Sequence, residues 1–223
     1  MSSLNKFFCK SCYALLISYS LVAVNNHLLE FIMKKERILA FSDGVLAIII
    51  TIMVLELKIP HGDKLKDLNP LLPIVISYIL SFVHIGIYWN NHHHMMYAAD
   101  KVNGAILWAN LHLLFWLSLL PFVTGWMGEN YFTAVPVALY GFDLLMSSIA
   151  YFILSRALIK YHGKKSTLAV AVGNDFKGKI STALYVIAII LSFVNSWISL
   201  GIYALVAAIW VIPDKRIEKV LAE

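Results

Sequence analysis

The sequence predicts an all-α, polytopic membrane protein with six transmembrane helices, and two observations carry that prediction. Of 223 residues, 60% are apolar and only 14% charged, with a mean hydropathy of +0.76. A chain so apolar does not stay in water as a monomer. Apolar runs of membrane length also recur, separated by short segments rich in Pro, Gly and charge. The net charge of +5 and pI near 9.1 would point to nucleic acid in a soluble chain. Here they point to orientation in a lipid bilayer, and no nucleic-acid partner is expected.

Taken in order, residues 1–32 fit poorly with the rest of the chain. Lys6 and Lys10 precede an apolar run from Tyr13 to Val24 that is short for a span and has no Ala-x-Ala-like site after it. Met33-Lys34-Lys35-Glu36-Arg37 resembles a natural start, so 1–32 read as an N-terminal extension, one that need not be native, ahead of a six-helix domain over 33–223. Cys9 and Cys12 form a lone Cys-x-x-Cys with no second pair, so no disulfide is expected in the core. Helix 1 is expected over Ile38–Ile59, about 33 Å at 1.5 Å per residue, closed by Pro60. Residues 60–70 form a loop. Helix 2 is expected from about Leu71 to His92, and helix 3 from about Lys101 to Phe122, then a turn with Gly125, Gly128 and Glu129. Helix 4 is expected from about Tyr131 to Tyr161, then a basic loop over 162–179. Two short helices, about Ile180–Val194 and Trp197–Ile212, complete the set before Pro213. With both core termini cytoplasmic, thirteen Lys and Arg fall inside against Lys58, Lys64 and Lys66 outside, which supports that orientation and the even helix count.

Helix 1 is membrane-length yet contains an acid. Asp43 sits about one turn inside, where a charge costs several kcal/mol unless it is paired or faces water. At about 100° per residue, Ile48, Thr51, Ile52 and Leu55 share one narrow stripe, which Gly44 extends, and Asp43 lies about 140° from its centre. Two readings fit this pattern. One is a pore helix, with Ile48, Ile52 and Leu55 forming a hydrophobic constriction, Thr51 hydroxyls touching the ion, and Asp43 bracing the helix from behind. The other is an ordinary lipid-facing span. Periodicity leaves both open.

Arg37, Phe41-Ser42-Asp43, Ala47-Ile48, Thr51 and Pro60 resemble the first helix of the lysosomal and endosomal potassium channels of the transmembrane protein 175 type. Trp89 with His92, Asn110, and Pro121-Phe122 with Thr124 resemble that family's second and third helices, and the likeness runs over roughly residues 33–213 as a single six-helix copy of the bacterial kind. The resemblance implies a potassium-permeable cation channel without a carbonyl filter, lined by helix 1 of each subunit of a homotetramer in a bacterial plasma membrane. It implies no cofactor beyond permeant potassium. It also suggests that Arg37, Phe41, Ser42, Asp43, Trp89, His92 and Asn110 form a structural network, with His92 bridging Arg37 and Asp43 and Trp89 packing over them.

Two other functions are weighed against this. A proton leak through the same pore is one, and a transition-metal transporter using His92, His93 and His94 with Met95 and Met96 is the other. Three consecutive helical histidines point about 100° apart and cannot all ligate one ion, so no metal site is expected. His84 and His112 are expected to make interhelical hydrogen bonds. Asp143 is a second intramembrane acid without a nameable partner. No phosphate-binding glycine loop, nucleophile elbow or zinc-protease pairing occurs, so no catalytic residues are assigned.

Overall fold

The computed structural model describes residues 35–99, 101–163, 166, 169 and 175–211, and these contain six α-helices. They are α1 (Lys35–Leu55), α2 (Leu72–Tyr97), α3 (Gly104–Glu129), α4 (Ala134–His162), α5 (Phe176–Leu191) and α6 (Ser196–Val211). The proposed extension 1–32, its two cysteines and Pro213 lie outside the described residues. Of the described residues, 39–211 fall in one compact unit and 35–38, the first turn of α1, in another.

Among the described residues, four helices are long and apolar enough to cross a membrane: α1, α2 with the 3-10 turn Leu65–Leu71 ahead of it, α3 and α4. The other two are 16 residues each, about 24 Å of helix. They are joined by a short turn in which Ser192 N–H and Asn195 N–H donate to the carbonyls of Ala188 and Leu191.

Local chemistry sets the boundaries, and several differ from the sequence expectations. α1 stops at Leu55, five residues before Pro60, because Glu56 and Leu57 donate to the carbonyls of Met53 and Val54, the tighter pattern of a 3-10 ending. α2 runs on through all three histidines to Tyr97, five residues past the expected end at His92. α3 begins at Gly104, where Asn103 Oδ1 accepts from Ile106 N–H at 3.0 Å, and it passes through Pro121 to Glu129. The expected Gly125-Gly128 turn is therefore helical. Gly128 is needed for packing, since a Cβ there would stand 2.8 Å from the Cα of Ile74 on α2. The chain actually turns at Tyr131 and Phe132, whose φ values are 50° and 60°. Asp175 caps α5 by accepting from Gly178 N–H at 3.2 Å, which brings the helix start forward to Phe176 from the expected Ile180.

α3 packs on α2 and α4, and α5 packs on α4 and α6. Leu113, Leu117, Leu120, Val123 and Met127 repeat along its buried face at helical spacing. Tyr203 reaches across from α6 to donate to the Val137 carbonyl on α4 at 3.2 Å. Only glycine fits at 141, because an added Cβ would stand 1.9 Å from the Tyr203 hydroxyl. At the far end of α1, Lys58 pairs with Glu129 at the end of α3.

Candidate functional site

α1 has two faces. Ser42, Leu46, Ile49 and Met53, at i, i+4, i+7 and i+11, are buried within the subunit. About 140° round the axis lie Ile48, Ile52 and Leu55, 57%, 43% and 79% exposed, together with exposed Thr51. The stripe singled out from periodicity thus lies within the surface that α1 does not spend on its own subunit, which also takes in Ala47 and Val54. Gly44 continues it into open space. The Thr51 hydroxyl donates to the Ile48 carbonyl at 2.8 Å, which fixes the side chain and leaves only oxygen lone pairs directed outward.

Behind this stripe, three helices meet through polar groups. Asn110 Nδ2 of α3 donates to Ser42 Oγ of α1 at 2.9 Å, and Asn110 Oδ1 lies 2.7 Å from His92 Nε2 of α2. With the amide nitrogen spent on Ser42, its oxygen is the acceptor and His92 Nε2 carries the proton. All three residues are buried. Asp43 accepts from Trp89 Nε1 at 3.0 Å.

Ser42, Asp43, Trp89, His92 and Asn110 therefore come together, but their roles differ from those expected. His92 bonds Asn110 instead of Asp43, because its Nε2 points toward α3. Trp89 does not merely pack over the acid; it supplies Asp43 with its donor. Phe41 stands off the cluster, 54% exposed. α1 is regular through Arg37 to Asp43. Among the described residues, neither His84 nor His112 bonds across helices. His84 Nδ1 meets the Leu80 carbonyl at 2.9 Å, and His112 Nε2 accepts from Trp116 Nε1 at 3.0 Å, both within one helix. His93 stacks on Tyr97 with ring centroids 6.3 Å apart, and among the described residues no three metal-ligating side chains converge.

Sequence reasoning missed a second interhelical tie, in which Ser81 of α2 pairs with Thr124 of α3 at 2.7 Å and with Tyr140 of α4 at 3.2 Å. No distinct signal marked these three, since α2 also carries Ser77, Tyr78 and Tyr88, and α4 carries Ser147, Ser148, Tyr151 and Ser155. Asp143 is 2% exposed, and neither of its oxygens has a hydrogen-bond partner among the described residues.

These features define a membrane protein whose first helix is braced from behind and left bare in front. Residues 37–121 match the family model described as the endosomal/lysosomal potassium channel TMEM175. The chain is 57% identical over 191 residues to a potassium channel of Chryseobacterium sp. (strain P1-3), an alignment covering 86% of this chain and 100% of that protein. It is 34% identical over 116 residues to the endosomal/lysosomal proton channel TMEM175 of Gallus gallus, covering 47% of this chain and 23% of that one. The fold superposes with a TM-score of 0.71 and 28% identity on the crystal structure of a lysosomal potassium-selective channel TMEM175 homologue from Chamaesiphon minutus, covering 82% and 98% of the two chains. The chain belongs to the TMEM175 family, and with it to the ion channels of the membrane and not to the enzymes.

Proposed function

We propose that this chain forms a homotetrameric, potassium-permeable cation channel of a bacterial plasma membrane, lined by α1 of each subunit, with both termini of the six-helix core cytoplasmic. The observation that carries the reading is the division of α1 into a buried face and a bare face of Ile48, Thr51, Ile52 and Leu55. A lipid-facing span would also be bare on one side. What favours the pore is the polar anchoring behind that face, through Ser42–Asn110–His92 and Asp43–Trp89. Such anchoring fixes the tilt of a helix whose position matters. The potassium channels among the relatives supply the ion.

The gate in this reading is hydrophobic. Rings of Ile48, Ile52 and Leu55 dewet the pore when it is narrow, and a small tilt or rotation of α1 admits hydrated cations. Thr51 oxygens face the ion, and with no chain of carbonyls to replace its hydration shell, preference for potassium over sodium is modest. No cofactor is required beyond the permeant potassium.

A second reading, a proton pathway through the same pore, is favoured by the proton channel named for the Gallus gallus relative. Flux through purified channel in liposomes separates the two. Ile48→Asn should hydrate the constriction and raise basal potassium flux, while Val54→Asn, away from the stripe, should not. Unchanged flux in the first with increased flux in the second would move the pore elsewhere. A reversal potential that tracks pH and ignores potassium would replace the potassium reading by the proton one.

A further inference from the structure

A cavity of about 320 Å³ lies between α2, α4, α5 and α6, away from the bare face of α1, with His84 at its inner end. Ser148 of α4 meets Thr182 of α5 at 3.3 Å, and Phe152, one turn after the first, and Gly178, one turn before the second, line the same cavity. The two helices therefore run antiparallel along its wall, and Lys179 is level with Phe152, toward the ends of both helices that the 163–175 connection joins. Lys179 and Phe152 are exposed, whereas Tyr185, Val206 and Ala207 are buried. The cavity thus opens toward the membrane edge and closes inward, and from Lys179 to Tyr185 it follows about 9 Å of α5. Its volume is at the small end of the range for ligand sites, roughly 300–1,000 Å³, which suits part of one chain and not two.

The rim is cationic. Lys179 lines it and forms no ion pair among the described residues, and Arg156, in the last two turns of α4, holds its guanidinium 5.0 Å from the centre of the Phe152 ring. Against these two charges stands Asp175, whose carboxylate is already engaged in capping α5 through Gly178 N–H at 3.2 Å. Just inside the rim, donors are left over. The Asn91 amide keeps one N–H after donating to the Ile87 carbonyl at 2.8 Å, and the Tyr88 and Tyr185 hydroxyls have no partner among the described residues. Tyr88 stands at that depth because its ring meets that of Tyr151, the neighbour of Phe152, with centroids 6.2 Å apart. Tyr185 leans back toward the start of α5, as helical side chains do. Further in, Ile149, Val206 and Ala207 supply aliphatic wall.

We propose that this intrasubunit cavity receives one acyl chain of an anionic glycerophospholipid, with the phosphate between Arg156 and Lys179 and an ester carbonyl accepting from the donors of Asn91 and Tyr88. Cations, then donors, then hydrocarbon is the order in which such a lipid presents its phosphate, its esters and its chain. A zwitterionic lipid adds a positive group that the two cations repel, a free phosphate leaves the apolar walls bare, and a plain hydrocarbon leaves the donors unmet. Lysine and arginine at a membrane edge also snorkel to headgroups with no cavity behind them, so dependence on the cavity is what marks the site. It needs no residue of the proposed pore and stands or falls apart from the conduction pathway.

The test is native mass spectrometry of the whole channel in non-ionic detergent, titrated with phosphatidylglycerol or with phosphatidylcholine of the same chains. The parent should take up one phosphatidylglycerol per subunit saturably and prefer it to phosphatidylcholine. Each cation near a membrane surface is worth about five-fold in affinity for an anionic lipid, so Lys179→Gln and Arg156→Gln should each weaken uptake by that factor and the pair by roughly thirty-fold. Lysophosphatidylglycerol, with one chain, should compete for the site, and glycerol phosphate, with the headgroup alone, should not. Ser148→Phe fills the cavity from the α4 wall and should abolish saturable uptake with both cations still in place. Equal uptake of the two lipids by the parent overturns the anionic assignment even if no variant folds, and competition by glycerol phosphate as strong as by the lysolipid overturns the chain. Unchanged uptake by Ser148→Phe that elutes with the parent's oligomer means snorkelling cations only and overturns the site, as does a preference that survives loss of both charges.

Discussion

Trp89 Nε1 donates to Asp43 at 3.0 Å, so the intramembrane acid of α1 is held by an indole from α2. A carboxylate at this depth keeps its charge cheaply only with a donor, and hydrogen bonds to charged groups contribute about 1.5–3 kcal/mol where they are shielded. Trp89 is about half exposed, which places its bond toward the lower end of that range.

Trp89→Phe and Asp43→Ala should each lower the thermal stability of the channel in detergent, and the double variant should lose less than the sum. Asp43→Asn should be milder than Asp43→Ala, because its amide oxygen still accepts from the indole. Strict additivity, with a coupling below about 0.3 kcal/mol, would mean that the two side chains do not act as a pair.

A second cycle concerns Asn110, which joins Ser42 and His92 with both ends of one amide. Asn110→Leu leaves a buried hydroxyl and a buried imidazole N–H without partners, at about 1–3 kcal/mol for each orphaned group. Adding Ser42→Ala and His92→Phe removes those orphans, so the triple variant should recover stability relative to Asn110→Leu alone. Circular-dichroism melting in one detergent measures both, and a triple variant weaker than the single would show that the network contributes more than the satisfaction of its own members.

The helix count and the stripe on α1 were legible because both rest on periodicity, which the chain writes plainly. Ile48, Thr51, Ile52 and Leu55 share a face on any regular helix, and only the question of what that face meets needed more than one chain. Partners across helices were less legible. Trp89, His92 and Asn110 were placed near α1 by resemblance, yet which atom bonds which depends on side-chain direction, and a small rotation of α2 decides whether His92 faces Asp43 or Asn110. Boundaries failed where local capping outweighed composition. Gly125 and Gly128 read as a turn, but α3 uses Gly128 for close approach to Ile74, and the break falls at Tyr131 and Phe132 instead. The cavity beside His84 had no sequence signal, since voids arise from the mismatch of four helix faces.

Thr51→Val tests the ion-facing hydroxyl. Valine keeps the shape and cannot accept from or coordinate a cation, while the Ile48 carbonyl that Thr51 capped stays bonded within the helix. Conduction should persist, and the potassium-over-sodium preference should fall. Reversal potentials under bi-ionic conditions read this directly, and a value identical to the parent's would remove Thr51 from the selectivity assignment.

Asp143 gives the opposite expectation from Asp43. It lies in the middle of α4, 2% exposed, beside Ser147 one turn on, whose hydroxyl also lacks a partner, and neither Asp143 oxygen finds a donor among the described residues. A buried polar group without a partner costs about 1–3 kcal/mol by mutational data, and an apolar residue of similar volume removes that cost. Asp143→Leu should therefore leave the melting temperature of the detergent-solubilised channel unchanged or raise it, and Asp143→Asn, which is equally unpaired, should be near neutral. If the acid were instead bridged by ordered water to Tyr88 or Tyr140, Asp143→Leu would strand those waters and lower the melting temperature, with Asp143→Asn the milder of the two. A loss in Asp143→Leu that Asp143→Asn largely restores would therefore show that the carboxyl has a hydrated partner and that α4 holds a polar element of the fold.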